Sequence, residues 1–353
     1  MIQDRAAGAI IGGLIGDALG LGCHWYYDLD ELRRHYGDWI TDYTTPRQNW
    51  YHEGMRPGQL SQTGLITVML MRSVLEHKVY VESDFIRHLE EELFPDLDGT
   101  AMQGPGGYTN QSIREAYLRC TVEKKPWGEV GGSADNTEAA ERAIVLAVRY
   151  ATNPRMVAAT VSSNCRLTQS DEMIVGMTTA YDCVLSLLVA GEKLDSALSG
   201  TLMDLVGKGN LPYQDRPLPP KIGEIDINLP GLFPIPDPLL IPSAIAGIVN
   251  CPGIMIEPAW KVSLVYGLPC GINHQLPCAY YLASRFSDDF ESAVLHAING
   301  GGQNMSRAFL TGALVGAQVG LSRIPQRLIK GLDSSDELVS LARQLGEVAA
   351  LDA

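Results

Sequence analysis

Residues 7–20 read AGAIIGGLIGDALG and residues 310–320 read LTGALVGAQVG. Gly8, Gly12, Gly16 and Gly20 fall four residues apart, as do Gly312, Gly316 and Gly320. That spacing places each set on one face of a helix. A glycine inside a helix costs about 1 kcal/mol relative to alanine, so two such stripes need a compensating gain, and close approach of two backbones supplies it. The two segments are expected to pack against each other at the centre of one helical bundle. The same spacing also occurs in membrane dimers, but Asp17 within the stripe argues against that reading, since a carboxylate is costly at the bilayer centre.

Helical periodicity continues outward from these stripes. In 61–78, Leu65, Val68, Met69 and Leu75 recur at three- and four-residue steps, and similar stripes run through 137–151, 171–190, 288–299 and 303–321. Ser61 is placed to cap the first of these, and Asp135 with Glu138 has capping-box spacing ahead of another. No long β-alternation competes, so the class is mainly α. Residues 207–242 break the pattern, because they hold Pro212, Pro217, Pro219, Pro220, Pro230, Pro234, Pro236, Pro238 and Pro242. Helical sequence resumes afterwards without a shift in composition. The chain, 1–353, is therefore read as one domain carrying a proline-rich, irregular insertion at about 207–242.

Composition limits the function classes. Of the 353 residues, 46% are hydrophobic and 19% charged, which excludes a disordered chain. The net charge of −14 repels phosphate backbones and anionic lipid, so neither nucleic acid nor membrane is expected as a partner. Cys23, Cys120, Cys165, Cys183, Cys251, Cys270 and Cys278 are odd in number and never spaced as CxxC, which indicates neither a disulfide framework nor a zinc site and fits a cytoplasmic location. The apolar run after MIQDR lacks a basic flank and is interrupted by Asp17, so it reads as mature protein. No run of 18 apolar residues is evident to span a bilayer.

The polar residues that could form a site lie beside the two glycine stripes. Asp17 sits in GDALG, His24 follows in CHWYYD with Asp28 at its end, and Tyr51-His52-Glu53-Gly54 precedes Ser61-Gln62-Thr63-Gly64. Aromatic residues around a titratable group can wall a pocket for a flat ligand. A loop entering a helix N-terminus offers free amides to an anionic or hydroxyl-rich one. Near the other end, Asn299-Gly300-Gly301-Gly302-Gln303-Asn304 leads into the second glycine-faced helix, where glycines permit close backbone approach to a sugar or phosphate. The chain has no GxSxG, HExxH or GxGxxG after a strand, and the histidines show no metal-ligand pairing in sequence.

The order of GAIIGGLIGDALG, GQLSQTGLITVML, GGSADNTEAAERAIVLAV, LTQSDEMIVGMTTAY and AINGGGQNMSRAFLTGALVGAQVG resembles the ADP-ribosylglycohydrolase superfamily, which includes dinitrogenase reductase-activating glycohydrolases and lens J-crystallins. CHWYYD and GGGQNMSRA look most like the J-crystallin branch. The resemblance implies a single-domain, all-α, multi-helix orthogonal bundle with a central substrate cleft. Metal-dependent members carry Thr-Asp-Asp-Thr where this chain has Ser61-Gln62-Thr63-Gly64, and Asp-Thr-Asp-Thr where it has Gln303-Asn304-Met305-Ser306. A glutamate and a histidine of the family align with His24 and Gln169. Amides, a thioether and hydroxyls do not supply the charged oxygens that magnesium requires. Neither a magnesium site nor any other cofactor is therefore expected.

On this basis the chain is expected to hydrolyse a ribosyl or ADP-ribosyl glycosidic linkage without metal. His24, Glu53 and Asp28 are the ionisable candidates for catalysis. Asp17, Ser61, Gln62, Thr63, Gly301, Gly302, Gln303, Asn304 and Ser306 are expected to hold the small-molecule or ADP-ribosyl-type ligand. His24 is the residue on which a pH dependence should turn, since imidazole titrates at about 6.5 when unperturbed. The contrary expectation is a non-catalytic protein that binds a nucleotide-like ligand or is structural, as J-crystallins are.

Overall fold

A computed structural model describes residues 1–211, 237–249 and 251–351. Within them the chain forms α1 (Ile2–Gly22), α2 (Leu29–Tyr36), α3 (Gln62–His77), α4 (Glu82–His88), α5 (Gln111–Tyr117), α6 (Glu138–Arg149), α7 (Pro154–Arg166) and α8 (Glu172–Ala190). It continues through α9 (Leu198–Gly207), α10 (Asp237–Val249), α11 (Val262–Tyr266), α12 (Ile272–Arg285), α13 (Phe290–Ile298), α14 (Asn304–Val319), α15 (Gln326–Gly331) and α16 (Ser335–Ala350). Among the described residues there is no strand, only an isolated bridge between Gly132 and Gln169. The fold class is all-α, as the resemblance implies and in keeping with the mainly α reading of the periodicity.

Helix α1 is the axis of the bundle. Every residue from Ala6 to Gly22 is buried, and α3, α6, α8, α13, α14 and α16 all pack against it. A helix that is apolar all round can only be stable when enclosed in this way. Its principal partner is α14, and the glycines explain the fit. A Cβ on Gly8 would stand 2.3 Å from Gly316 O, one on Gly12 2.2 Å from Gly312 O, and one on Gly16 2.1 Å from Ala308 O. The paired numbers run in opposite directions, so the helices are antiparallel. Gly320 departs from the stripe: α14 ends at Val319, and Gly320 takes a φ of 77° beyond it.

Three further expectations are corrected by the structure. Asp135 and Glu138 form no capping box. Helix α6 starts at Glu138, and the Asn136 side chain accepts the Glu138 N–H (3.3 Å) while Gln169, distant in sequence, accepts the Ala139 N–H (3.1 Å). The proline-rich segment ends earlier than composition suggests, because Pro238 and Pro242 lie in α10; residues 212–236 fall outside the described residues. Helices α1 and α8 are also long and apolar enough to cross a membrane by length and composition, yet 94% and 78% of their apolar windows are buried inside the protein. All seven cysteines are free thiols.

Candidate functional site

The site forms where α1 ends, α3 begins and α14 begins. Ser61 is the N-cap of α3, its Oγ accepting the Gly64 N–H at 3.4 Å. Asp17, in the last turns of α1, holds that cap in place: its carboxylate accepts the Ser61 N–H (2.7 Å) and hydroxyl (2.6 Å). Gly64 must be glycine, because a Cβ there would stand 2.5 Å from the Asp17 carboxylate. On the other side Gly301 and Gly302 adopt left-handed φ values of 64° and 58°, and the Gly302 N–H donates to Tyr26 O at 2.6 Å. This turn delivers Gln303 to the start of α14, directly opposite His24. Ser61, Gln62, Thr63, Gln303, His24, His52, Tyr108, Asn110 and Met305 line a small pocket. Trp25 and His52 take positive φ values of 69° and 62° beside it. Such conformations cost of order 1–3 kcal/mol and tend to cluster at functional sites.

A chain of hydrogen bonds crosses the pocket. His52 Nδ1–H donates to Gly106 O (2.6 Å), His52 Nε2 meets His24 Nδ1 (2.7 Å), and His24 Nε2 meets the Gln303 side chain (2.9 Å), which contacts Ser306 Oγ (2.8 Å). Burial holds the pKa of His24 down to about 3, reinforced by the adjacent His52, and burial holds His52 down to about 4. Both rings are therefore neutral near pH 7 and share two protons. With one proton committed to Gly106 O, the other lies on His24 Nδ1, so His24 Nε2 must accept. The Gln303 amide then donates its N–H to His24 and accepts the Ser306 hydroxyl, an orientation fixed by proton count and not by heavy-atom positions. The expectation that His24 titrates near neutrality is overturned: its buried position, closed off by His52 and Gln303, penalises the cation.

The ionisable groups that do titrate near neutrality are carboxyls behind the pocket wall. Burial raises Asp17 to about 6 against the opposing hydrogen bonds from Ser61. Burial raises Glu141, on α6, to about 8, against the Thr137 and Ser306 hydroxyls and with a smaller contribution from the charges of Asp17 and Glu138. Glu141 Oε1 accepts the Thr137 hydroxyl (2.5 Å), Ser306 lies beside it, and Oε2 has no partner. Deeper on α6, Glu138 pairs with Arg142, whose guanidinium also donates to Asn164 Oδ1 (2.8 Å) and Asn164 O (2.7 Å). That pair is fully satisfied on the arginine side and serves the core.

The structure brings together Asp17, His24, Ser61, Gln62, Thr63, Gln303 and Ser306, and separates others from them. Gln62 spans the pocket edge, donating to Thr109 Oγ1 (3.0 Å) and accepting the Asn110 N–H (3.2 Å). Asn304 points away: its Nδ2 donates to Gly20 O (3.3 Å) and Cys23 O (3.2 Å), tying α14 to the end of α1. Asp28 is exposed and caps α2, accepting the Asp30 and Glu31 N–H groups at 2.9 and 3.2 Å. Glu53 is exposed too, its carboxylate accepting the Asn49 N–H (2.9 Å) within its own turn. Gln169 braces the start of α6 and does not line the pocket. Tyr108, Asn110 and Glu141 were not singled out from sequence, and His52 was named only within the segment Tyr51-His52-Glu53-Gly54. For Glu141 a signal existed, an acid that follows Ala139 and Ala140 and, with Arg142, precedes the apolar run AIVLAV.

The described helices form an all-α bundle centred on a glycine-knit helix pair, with a polar pocket at the junction of three helix ends. The ADP-ribosylglycohydrolase family model matches residues 1–352, so the chain belongs to that family. Membership of that family supports a glycohydrolase-like function. A solved structure described as an ADP-ribosylglycohydrolase-related protein complex superposes with a TM-score of 0.61 at 18% identity, covering 99% of each chain, which shows the shared fold. No curated protein matches the chain in sequence.

Proposed function

We propose that this chain hydrolyses a ribosyl or ADP-ribosyl glycosidic linkage without magnesium, and that the acid–base pair is Asp17 and Glu141. One observation carries the reading: two buried carboxyls with separated pKa values, about 6 and about 8, lie immediately behind a pocket lined by neutral hydrogen-bonding side chains. Glycoside hydrolysis needs one carboxyl protonated toward the leaving group and one ionised toward water, and environments that push two pKa values apart supply that division. Asp17 reaches the pocket through the Ser61 hydroxyl, and Glu141 through Ser306 and Gln303. Gln62, Asn110 and the neutral His24 are suited to sugar hydroxyls.

The magnesium of related enzymes does not fit these residues. No carboxylate lines the pocket, and the oxygens of Ser61, Gln62 and Gln303 are already engaged within the protein. Magnesium keeps several waters and an octahedral shell, whereas this pocket has a volume of about 10 Å3, room for about one water. That small volume also favours the structural form of the second reading, a non-catalytic member in the manner of J-crystallins.

The test is turnover of ADP-ribosyl and simple ribosyl conjugates by the full chain, with and without EDTA. The enzyme reading expects EDTA-insensitive turnover, reduced about 100-fold or more by Glu141→Gln or Asp17→Asn, with folding of each variant verified. Activity that requires added magnesium would sink the metal-free mechanism. Binding of ADP-ribose with no turnover of any conjugate would establish the second reading.

A further inference from the structure

Leu65, Val68, Met69 and Arg72 follow one another at three- and four-residue steps, which places them on one face of α3. That face forms part of a groove of about 420 Å3 between α3, the start of α16, the segment 92–96 and the turn at Pro105 and Gly106. Leu65 is 37% exposed there and Met55 is half-buried, so apolar surface that helical burial would normally cover stays open. Five charged side chains line the groove: the carboxylates of Glu92, Asp96, Asp333 and Glu337 against the single guanidinium of Arg72. Asp333 and Glu337 carry exposed bridges to Arg56 (3.3 Å) and Arg72 (2.7 Å). Bridges of this kind contribute little to stability and exchange readily for other cations. Gly106, whose carbonyl accepts the His52 Nδ1–H of the pocket, also lines the groove, so one turn of backbone separates the two.

We propose that this groove docks a basic amphipathic helix of a partner protein, its apolar stripe laid over Leu65 and Met69 and its lysines or arginines set against Glu92, Asp96, Asp333 and Glu337. The shape fits that mode of recognition, because a groove between two packed helices accepts the ridge of a third through anchors at helical spacing. The methionines Met55 and Met69 suit a partner whose side chains vary, since an unbranched thioether repacks at little cost. Charge decides between occupants. Four carboxylates on a chain of net charge −14 repel nucleic acid and anionic lipid. A second copy placed here about a two-fold axis would bring the same acidic rim against itself, since such an interface repeats one patch. An uncharged small molecule would leave the carboxylates unanswered. The docking stands whether or not the chain turns over a conjugate.

The experiment is fluorescence anisotropy of a labelled probe titrated with the full chain. The probe is a helical peptide of about 16 residues, about 24 Å long, with a leucine stripe on one face and lysines on the other. The proposal expects saturable binding of one peptide per chain that weakens with added salt and is lost when the lysines become glutamates or the stripe is scrambled out of helical register. Leu65→Lys should weaken binding at least about 10-fold by charging the floor, and Asp96→Lys about 5-fold. Both positions are exposed, and melting curves that match the parent verify that the variants fold. Glu347→Lys makes the same charge change at an exposed position about 15 Å along α16 from Glu337, beyond a Debye length at physiological salt, and should alter affinity by less than about 2-fold. Equal weakening by Glu347→Lys and Asp96→Lys would reduce the contact to bulk charge attraction and overturn the assignment. No saturable binding at low salt, or binding indifferent to Leu65→Lys, would overturn it too. A free chain that is dimeric, and that Leu65→Lys makes monomeric, would give the groove to a second copy instead.

Discussion

The two ends of the α1–α14 pair are built on opposite principles. At one end Gly8, Gly12, Gly312 and Gly316 interlock through backbone alone, and nothing larger fits. At the other, within a few turns of the same helices, Asp17, Ser61, Gln303 and His24 meet as polar groups whose arrangement depends on where protons sit. The seam answers only to shape, whereas the pocket answers to shape and pH. Placing the pocket at the end of a rigid seam holds its groups in register while leaving their protonation free to change.

The seam should be the less forgiving region. Gly12→Val forces a side chain against Gly312 O, where even a Cβ would stand at 2.2 Å. A loss of at least about 3 kcal/mol is expected, at or beyond the usual range for overpacking. Denaturant midpoints measure it, and a loss below about 1 kcal/mol would show that the helices can part without penalty.

The carboxyl behind the pocket provides the next largest effect. Glu141 has a folded pKa of about 8 against 4.5 in an ordinary glutamate. The folded state therefore holds the extra proton between these values, and stability falls as pH rises through that window. Glu141→Gln should remove this loss, stabilising the protein by on the order of 3 kcal/mol at pH 8 relative to the parent, with little change at pH 4.5. A pH-independent difference in melting temperature would place the titration elsewhere.

Smaller effects test the periphery and the imidazoles. Asp28→Ala should cost about 1 kcal/mol through lost capping of α2 and leave ligand binding intact; a loss of binding would return Asp28 to the site. Gly200→Ala, on α9 with nothing within 4 Å of the added methyl, should stabilise by up to about 1 kcal/mol, the inverse of the seam. The smallest expected change is none: nitrogen-detected NMR of His24 and His52 should show no titration between pH 5 and 8, since burial holds both below that range. Their depressed values make the folded state lose stability as pH falls from about 6.5 toward 3, where the unfolded imidazoles gain protons first. An imidazole titrating near 6.5 would mean that the pocket is open to water.

By itself the sequence determined the mainly α class, the pairing of the two glycine stripes, the cap at Ser61 and the neutral character of the residues at the pocket. These follow from local rules: helical period, the volume of a missing side chain, and side-chain chemistry at a helix start. Only the tertiary structure decided which ionisable groups matter. His24 appeared poised for proton transfer because its unperturbed pKa lies near neutrality, but burial beside His52 takes it out of that range. The sequence offered Asp28 and Glu53 for catalysis and Asp17 for ligand binding, yet the carboxylates of Asp28 and Glu53 lie in exposed turns while Asp17 is enclosed. Glu141 and Asp17, 124 positions apart by number (141 − 17), influence each other only because α1 and α6 pack together. A pKa is set by desolvation and by neighbours in space, and neither is written along the chain.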